Sequence, residues 1–214
     1  MGKYKDLLLS HKTLAIVDPP YGINVKTRVF NDGKSWDNET PKQSYFDNIS
    51  KVSSNQIIFG ANFFLDKIKK NTTSFIIWDK KMTERHLMSM SEFAWTSFKG
   101  KNLIFRQPPA GDRGFYSIDE TRIHPTQKSK DLYRWLVKNY LKDHTLILDT
   151  HVGSASSLIA YEEAGLNYIG FELDPDYYKE SKERLEKARF EREAKKAEKC
   201  YTDDLALFGG ESND

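Results

Sequence analysis

The sequence predicts an α/β protein built on a mostly parallel sheet, and three observations support this. Seven short runs of apolar, β-branched and aromatic residues recur along the 214-residue chain, each ending in turn residues. These runs are apolar throughout rather than alternating, which is typical of strands with both faces buried. Helical patterns lie between several of the runs, and strands that alternate with helices indicate a parallel sheet.

The predicted elements follow in chain order. The strands are residues 13–17, 56–59, 74–78, 93–95, 103–105, 146–148 and 168–171. Helices are predicted at 129–141, where several apolar residues share one stripe, at 156–163, and in a highly charged segment at 176–199. Because ligands of such sheets bind beyond the carboxyl ends of the strands, we expect functional residues there.

Length and composition limit the organisation of the chain. With 38% hydrophobic residues, 214 residues suffice for one domain with a buried core, which we place at 1–200, followed by a flexible tail at 201–214. The formal net charge of +2 says little about a nucleic-acid partner. A single cysteine excludes an internal disulfide, and neither a signal-peptide pattern nor a membrane-length apolar run is present. These features predict a soluble, cytoplasmic protein.

The first predicted strand ends in Asp18-Pro19-Pro20-Tyr21. Two prolines remove two N–H donors, so the Pro19 carbonyl can point away from a regular ladder beside the Asp18 carboxylate. Two acceptors next to the ring of Tyr21 suit a planar amine on a heterocycle. Accepting both amine protons directs the nitrogen lone pair at a methyl donor, in a displacement that relies on positioning and electrostatics. A proline turn with an aspartate cap is the alternative interpretation.

A loop of small residues follows the sixth predicted strand, and an acid follows the seventh. Residues 149–157 precede a helix, and their small side chains let a ligand approach the backbone. The loop lacks the glycine patterns of nicotinamide and ATP sites. Glu172 is placed to bind both ribose hydroxyls of an adenosine. Its alternative role is a helix N-terminal acid, which Asp174 before Pro175 fits better.

The run His124-Pro125-Thr126-Gln127-Lys128 precedes the helix predicted at 129–141. By itself it is typical of a helix entry, with Pro125 in a turn and Thr126 as the cap. His124 has no second histidine or cysteine at ligand spacing, so no metal site is expected.

Together these segments resemble the amino-group DNA methyltransferases of the beta class, in which the catalytic Asp-Pro-Pro-Tyr precedes the cofactor loop. Residues 60–63 and 78–80 look like segments that follow the catalytic motif in this class, and residues 124–128 match its donor-site element. The resemblance implies a Rossmann-like, doubly wound sheet of seven strands, S-adenosylmethionine as cofactor and DNA as partner. It implies catalytic roles for Asp18, Pro19, Pro20 and Tyr21, and cofactor binding by Thr126, Gln127, Lys128, Asp149, Thr150, His151, Gly153, Ser154, Ala155 and Glu172.

Three residues depart from the pattern of the class. His151 replaces an aromatic residue, Ala155 replaces a glycine and Ser129 replaces a proline. Ala155 must adopt an allowed backbone conformation at a position where the class has glycine. We therefore expect these departures to affect mainly the affinity for the methyl donor. The Thr150-His151 version resembles a phage or mobile-element subgroup.

Two polar stretches are predicted to face DNA, whose target base must leave the stack to reach Asp18. Residues 22–48 have no periodic pattern, which is typical of a functional loop. Residues 99–123 form a short recognition insert in which basic side chains alternate with aromatics. The basic residues expected to contact DNA are Lys26, Arg28, Lys34, Arg106, Arg113 and Arg122. An ordinary solvated loop is the alternative for each.

The end of the chain carries a second candidate interaction. Leu205, Leu207 and Phe208 resemble peptides that bind the bacterial replication sliding clamp, although Asp204 replaces the usual glutamine. Packing of these side chains on their own domain is the alternative. A homodimer is a further candidate assembly, and a restriction nuclease partner is left open.

The predicted function is transfer of a methyl group from S-adenosylmethionine to N6 of a flipped-out adenine in DNA. Within the class, Asp18 in place of serine favours adenine over N4 of cytosine. Methylation of cytosine C5 is disfavoured because it needs a cysteine on a catalytic loop, whereas Cys200 ends a charged helix. Two further functions stay open: methylation of RNA or protein amines, and DNA binding by an inactive relative.

Overall fold

The structure, a computed structural model, describes residues 2–24, 36–68, 72–85, 89–109 and 122–208, without the side chains of residues 2 and 199–208. The strands among these residues form one seven-stranded sheet. They are β1 Thr13–Val17, β2 Asn55–Phe59, β3 Phe75–Asp79, β4 Ser91–Thr96, β5 Leu103–Arg106, β6 Leu146–Asp149 and β7 Tyr168–Gly170. Each overlaps a predicted strand. The described helices are α1 Lys5–Ser10, α2 Gln43–Val52, α3 Lys130–Tyr140, α4 Ser156–Glu163 and α5 Pro175–Phe208.

The strand order is β5-β3-β4-β2-β1-β6-β7. Only β4 runs antiparallel to its neighbours β2 and β3, so the predicted mostly parallel sheet is confirmed. The strand order switches direction at β1, which pairs with β2 on one side and β6 on the other. Ligands of such sheets bind at this switch point, so residues after β1 and β6 are brought to one edge although they are far apart in the chain.

Helices cover both faces of the sheet, because alternate residues of a strand point to opposite faces. On one face, Leu14 and Ile16 of β1 belong to a core cluster that includes residues of α3 and α4. On the other face, Ala15 and Val17 belong to a cluster that includes residues of α1 and α2. All five residues of β1 are buried, which makes it the centre of the fold.

The prediction that every strand is buried on both faces was wrong for β5, at the edge of the sheet, and for part of β4. Ile104 of β5 is 43% exposed, and Phe93 of β4 is 38% exposed. Strand β5 pairs only with β3 and therefore forms an edge of the sheet. A strand at an edge covers less of its surface, which leaves one of its faces partly open.

The helices differ from the predictions in the cap of α3, in the end of α5 and in the presence of α1 and α2, which were not predicted. Helix α3 is capped by Ser129, whose Oγ accepts a hydrogen bond from the Leu132 N–H at 3.3 Å, so the Thr126 cap was wrong. Helix α5 continues through Phe208 instead of ending near residue 199, because no glycine or proline interrupts the chain before Gly209. The backbone of residues 201–208 is thus helical, and the flexibility of the tail stays a prediction.

Helix α2 was not predicted, since its segment was assigned to the loop at 22–48. Its buried residues Phe46, Ile49 and Val52 recur every third position, in an otherwise polar stretch. Among the described residues, none of the helices combines the length and apolarity that crossing a membrane would require.

Candidate active site

Two cavities open at the switch point of the sheet and meet at Asp18. The larger has a volume of about 870 Å³ and lies beside the loops after β6 and β7. The smaller has a volume of about 400 Å³ and lies beside the ends of β2, β3 and β4. The residues that line both are Asp18, Pro20, Trp36, Thr126, Gln127 and Lys128.

The Asp18 carboxylate is engaged by side chains rather than by the backbone of its own turn. Its Oδ1 accepts a hydrogen bond from the Tyr21 hydroxyl at 2.5 Å, and its Oδ2 contacts the Lys128 ammonium. The aspartate that caps the turn is Asp37, whose Oδ1 accepts from the N–H groups of Tyr21 and Gly22 at 2.7 and 3.0 Å. The alternative in which Asp18 serves as the turn cap is therefore wrong.

The ring of Tyr21 is fixed by close packing. It stacks on Phe63 with ring centroids 5.1 Å apart and an interplanar angle of 15°. A Cβ atom at Gly60 would lie 2.1 Å from the Tyr21 ring, and Gly60 adopts a φ of +68°. Both the close approach and the left-handed backbone require glycine there. Tyr21 and Phe63 line the smaller cavity together.

Four charged side chains form a chain at the junction of the cavities, in which the two lysines are buried and the two carboxylates are partly exposed. Lys128 Nζ contacts Asp18 and lies 3.1 Å from Glu92 Oε2, and Lys80 Nζ lies 2.7 Å from Glu92 Oε1. The Lys128 side chain is only 2% exposed. Two carboxylates and two ammonium groups balance in charge, which is the condition for holding them in a buried site.

The burial of these groups shifts their ionisation. Burial raises the pKa of Asp18, although the Lys128 ammonium acts to lower it. Burial would also raise the pKa of Glu92, but Lys128 and Lys80 lower it below its usual range. Burial would lower the pKa of Lys128, yet Asp18 and Glu92 raise it. Lys128 is therefore a permanent cation at neutral pH.

Most of the residues predicted to bind the cofactor line the larger cavity. They are Thr126, Gln127, Lys128, Thr150, His151, Gly153, Ser154 and Glu172. Asp149 and Ala155 are buried behind the loop instead. Asp149 accepts hydrogen bonds from the His151 N–H at 3.0 Å and from Ser157 Oγ at 2.6 Å, and burial raises its pKa to about 6. It shapes the loop and does not reach the cavity.

The Glu172 carboxylate joins the two loops at the edge of the larger cavity. Its Oε2 accepts from the Gly153 N–H at 2.7 Å, and its Oε1 accepts from the Asp174 N–H at 2.9 Å. The cap of α5 is Asp174, which accepts from the N–H groups of Asp176 and Tyr177 at 3.0 and 3.1 Å. The assignment of the helix-capping role to Asp174 is confirmed, and Glu172 is oriented at the cavity.

Aromatic residues complete the wall of the larger cavity. Tyr45 of α2 pairs its hydroxyl with Thr150 Oγ1 at 2.7 Å and packs edge-on against His151. Burial lowers the pKa of His151 to about 4, so its ring is neutral at neutral pH. The His124 ring lies 4.4 Å from the Tyr177 ring and 5.1 Å from the Trp36 ring. Among the described residues, no group of three or more histidine, cysteine or acidic side chains is arranged to hold a metal ion.

The residues predicted to contact DNA are only partly described. Arg122 lines the smaller cavity, with its guanidinium donating to the His124 carbonyl at 3.2 Å. Arg106 is exposed on β5, 3.4 Å from Asp79. The four others lie outside the described residues: Lys26, Arg28, Lys34 and Arg113. The side chains of Leu205, Leu207 and Phe208 also lie outside them.

Three residues that build the site were not predicted from the sequence: Asp37, Tyr45 and Glu92. Glu92 offered one usable signal, an acid directly beside a predicted strand, since charged residues are rarely buried unless they are paired. Asp37 and Tyr45 lie in the stretch assigned to a loop and gave no local signal.

Part of the chain is similar in sequence to known methylases. Residues 99–183 match a family model described as DNA methylase. The chain is 30% identical over 94 residues to the Escherichia coli (strain K12) protein named "Putative methylase YubD", and this match covers 44% of the chain and 41% of that protein. It is 33% identical over 64 residues to the type II methyltransferase M2.LlaDCHI of Lactococcus lactis subsp. cremoris, covering 30% of the chain and 24% of that protein. The chain thus matches less than half the length of these relatives.

Two solved structures share the fold. M1.HpyAVI in complex with SAM superposes with a TM-score of 0.52 at 22% identity, over 86% of this chain and 93% of that chain. The cytosine-N4-specific PvuII DNA methyltransferase superposes with a TM-score of 0.51 at 12% identity, over 85% of this chain and 86% of that chain. The chain therefore has the Rossmann-like fold of these methyltransferases, and its residues 99–183 match the DNA methylase family.

Proposed function

We propose that this chain is a site-specific DNA methyltransferase that moves a methyl group from S-adenosylmethionine to the N6 amino group of a flipped-out adenine. The observation that supports it most is the meeting of two cavities at Asp18. A transfer between two bound molecules needs a site for each and a short path between the reacting atoms. The family match of residues 99–183 supports the same activity.

The larger cavity is suited to the methyl donor. Its volume of about 870 Å³ lies within the usual range of small-molecule sites. Glu172 would accept the ribose hydroxyls, because two backbone N–H groups already orient its carboxylate at the cavity edge. The polar side chains of Thr126, Gln127 and Thr150 would contact the remainder of the ligand. S-adenosylmethionine supplies a methyl group on a positively charged sulfur.

The smaller cavity is suited to the base. Asp18 would accept one proton of the exocyclic amine, and the Pro19 carbonyl would accept the other. Tyr21 and Phe63 present an aromatic surface on which the base can stack. Burial raises the pKa of Asp18, so its carboxylate is the group suited to hold the proton that the amine releases.

The first residue of the catalytic motif supports adenine as the base. In the class that the chain resembles, N4 methylation of cytosine more often uses serine where Asp18 stands. Arg122 adds positive charge to a wall of the smaller cavity, which suits a base carried on a phosphate backbone.

Replacing Asp18 with asparagine tests the division of labour between the cavities. We expect Asp18→Asn to lower the rate of methyl transfer to DNA by at least ~100-fold, because a neutral amide accepts protons poorly. Binding of S-adenosylmethionine, measured by calorimetry, should stay within a few-fold of the original protein, because Asp18 faces the acceptor. Loss of donor binding by a folded variant would mean that the cavities are misassigned.

A further inference from the structure

Both oxygens of the Asp18 carboxylate are already engaged within the protein. The Tyr21 hydroxyl donates to Oδ1 at 2.5 Å, and the Lys128 ammonium contacts Oδ2. Each oxygen can accept a further hydrogen bond, but the Lys128 charge acts to lower the pKa of Asp18 and so weakens it as an acceptor of the amine proton. Movement of Lys128 away from Asp18 would therefore strengthen this carboxylate when an amino group enters the smaller cavity.

Lys128 is the donor that can withdraw. The Tyr21 ring is held by its stack on Phe63 and by the close approach of Gly60, and its backbone N–H is bound to Asp37. Lys128 has a flexible side chain with three N–H donors. Its ammonium is buried, however, and a buried charge without a partner is strongly destabilising. It can leave Asp18 only if another carboxylate receives it.

Glu92 provides that second carboxylate. Its Oε1 is held by Lys80 at 2.7 Å. Its Oε2 is buried, lies 3.1 Å from Lys128 Nζ and accepts no well-directed hydrogen bond from the described residues. This oxygen thus has acceptor capacity available at a short distance from the ammonium.

We propose that Glu92 is a positioning residue that draws the Lys128 ammonium away from Asp18 when the amino group of a base arrives. The proposal rests on the function proposed above and adds a residue and a step to it. Lys80 keeps Glu92 ionised and in place during the exchange. No bond is made or broken in this step, since Lys128 keeps its proton and only changes the carboxylate that it contacts.

The charges around Asp18 determine the direction in which each substitution should shift its pKa. The groups that act on Asp18 are Lys128, Glu92 and Tyr21. The Asp18 charge in turn acts on Tyr45 and Tyr133 of the larger cavity and on Asp149 behind it. The Glu92 charge acts to raise the pKa of Asp18, and the Lys128 charge acts to lower it. Without Glu92, repulsion disappears and Lys128 is left with Asp18 alone, so the pKa of Asp18 should fall. Without Lys128, it should rise.

The experiment compares Glu92→Gln, Glu92→Asp and Lys128→Met with a control, Glu163→Gln. Glu163 pairs with Arg134 at 2.5 Å on the protein surface and lines neither cavity. The first readout is the titration of the Asp18 carboxyl carbon by NMR in protein labelled at aspartate, with Asp18→Asn identifying the signal. The second is single-turnover methyl transfer from labelled S-adenosylmethionine to polymerase-made, unmethylated DNA, with donor binding measured separately.

We expect the Asp18 titration to move to lower pH in Glu92→Gln, to higher pH in Lys128→Met and not at all in Glu163→Gln. Methyl transfer by Glu92→Gln should fall by roughly 10- to 100-fold at unchanged donor affinity, as is usual for residues that orient a functional group. Glu92→Asp should recover part of the rate. The proposal would be overturned if Glu92→Gln left the titration of Asp18 unchanged, or if that variant transferred the methyl group at the original rate.

Failure of the proposed function would look different. The original protein would then transfer no methyl group to DNA, whereas the titration would still report whether Glu92 acts on Asp18 through Lys128. Glu92→Gln is nearly isosteric, so it keeps the test valid even if Lys128→Met does not fold.

Discussion

At the scale of single residues, the side chains at the junction of the cavities take their roles from partners that are distant in sequence. Lys128 belongs to a run that was assigned to the methyl donor, and it does line the larger cavity. It also contacts Asp18 and Glu92, which come from the ends of two other elements. Local sequence patterns carry no information on such pairs, which explains why Glu92 was missed while Asp18 was found.

Two substitutions of Tyr21 separate the role of its ring from that of its hydroxyl. Its hydroxyl binds Asp18, but its ring forms part of the aromatic surface of the smaller cavity. Tyr21→Phe should keep activity within about tenfold, because it retains the ring and removes only one hydrogen bond to Asp18, whereas Tyr21→Ala should lose a further ~1–3 kcal/mol of base stacking. Methylation rates of the two variants provide the measurement. Equal losses would assign the main role to the hydroxyl.

Substitution of Glu172 tests its proposed contact with the ribose of the methyl donor. A carboxylate that accepts hydrogen bonds from ribose contributes about 1.5–3 kcal/mol, so Glu172→Gln should weaken donor binding by roughly 10- to 100-fold. Calorimetry with S-adenosylmethionine measures this directly, and thermal unfolding checks that the loops joined by Glu172 remain in place. An unchanged affinity would refute the ribose contact.

At the scale of elements, apolar runs predicted all seven described strands because buried strands must be apolar whatever their neighbours are. The same reasoning failed where polar residues dominate. Helix α2 keeps three buried residues in a polar segment, and helix α5 continues where composition alone favoured a tail. Whether one face of a strand is exposed depends on the position of the strand in the sheet, and β5 lies at an edge. A single apolar run does not give that position.

The loop between β6 and α4 contains a strained position that was anticipated from the sequence. Ala155 stands where the methyltransferase class has glycine, and it adopts a left-handed φ of 61°. Glycine would relieve about 1–2 kcal/mol of strain. It would also cost about 0.4–1 kcal/mol of chain entropy and about 0.8 kcal/mol for the lost methyl group, since Ala155 is 1% exposed. These contributions nearly cancel, so Ala155→Gly should change the free energy of unfolding by less than about 1 kcal/mol.

Urea unfolding of the Ala155→Gly variant measures that difference. The midpoint should move little, at an unchanged slope. A loss of stability of more than about 1 kcal/mol would mean that the left-handed conformation at Ala155 costs nothing in this loop.

At the scale of the whole molecule, the order of the strands creates the site. Pairing of β1 with both β2 and β6 brings Asp18, Gly60 and the loop after Asp149 to one edge of the sheet. The two cavities that open there are separated by six shared residues, with Asp18 and Lys128 among them. This arrangement is the physical basis for proposing transfer of a group between two bound molecules.

The most direct test of that claim is the identity of the product. The purified protein is incubated with S-adenosylmethionine carrying an isotopically labelled methyl group and with unmethylated double-stranded DNA, and the digested DNA is analysed by mass spectrometry. The proposed function predicts labelled N6-methyladenine, in an amount that Asp18→Asn abolishes. Labelled N4-methylcytosine would mean that the methylated base is cytosine and not adenine. DNA without any labelled base would contradict the proposal that the two cavities carry out methyl transfer.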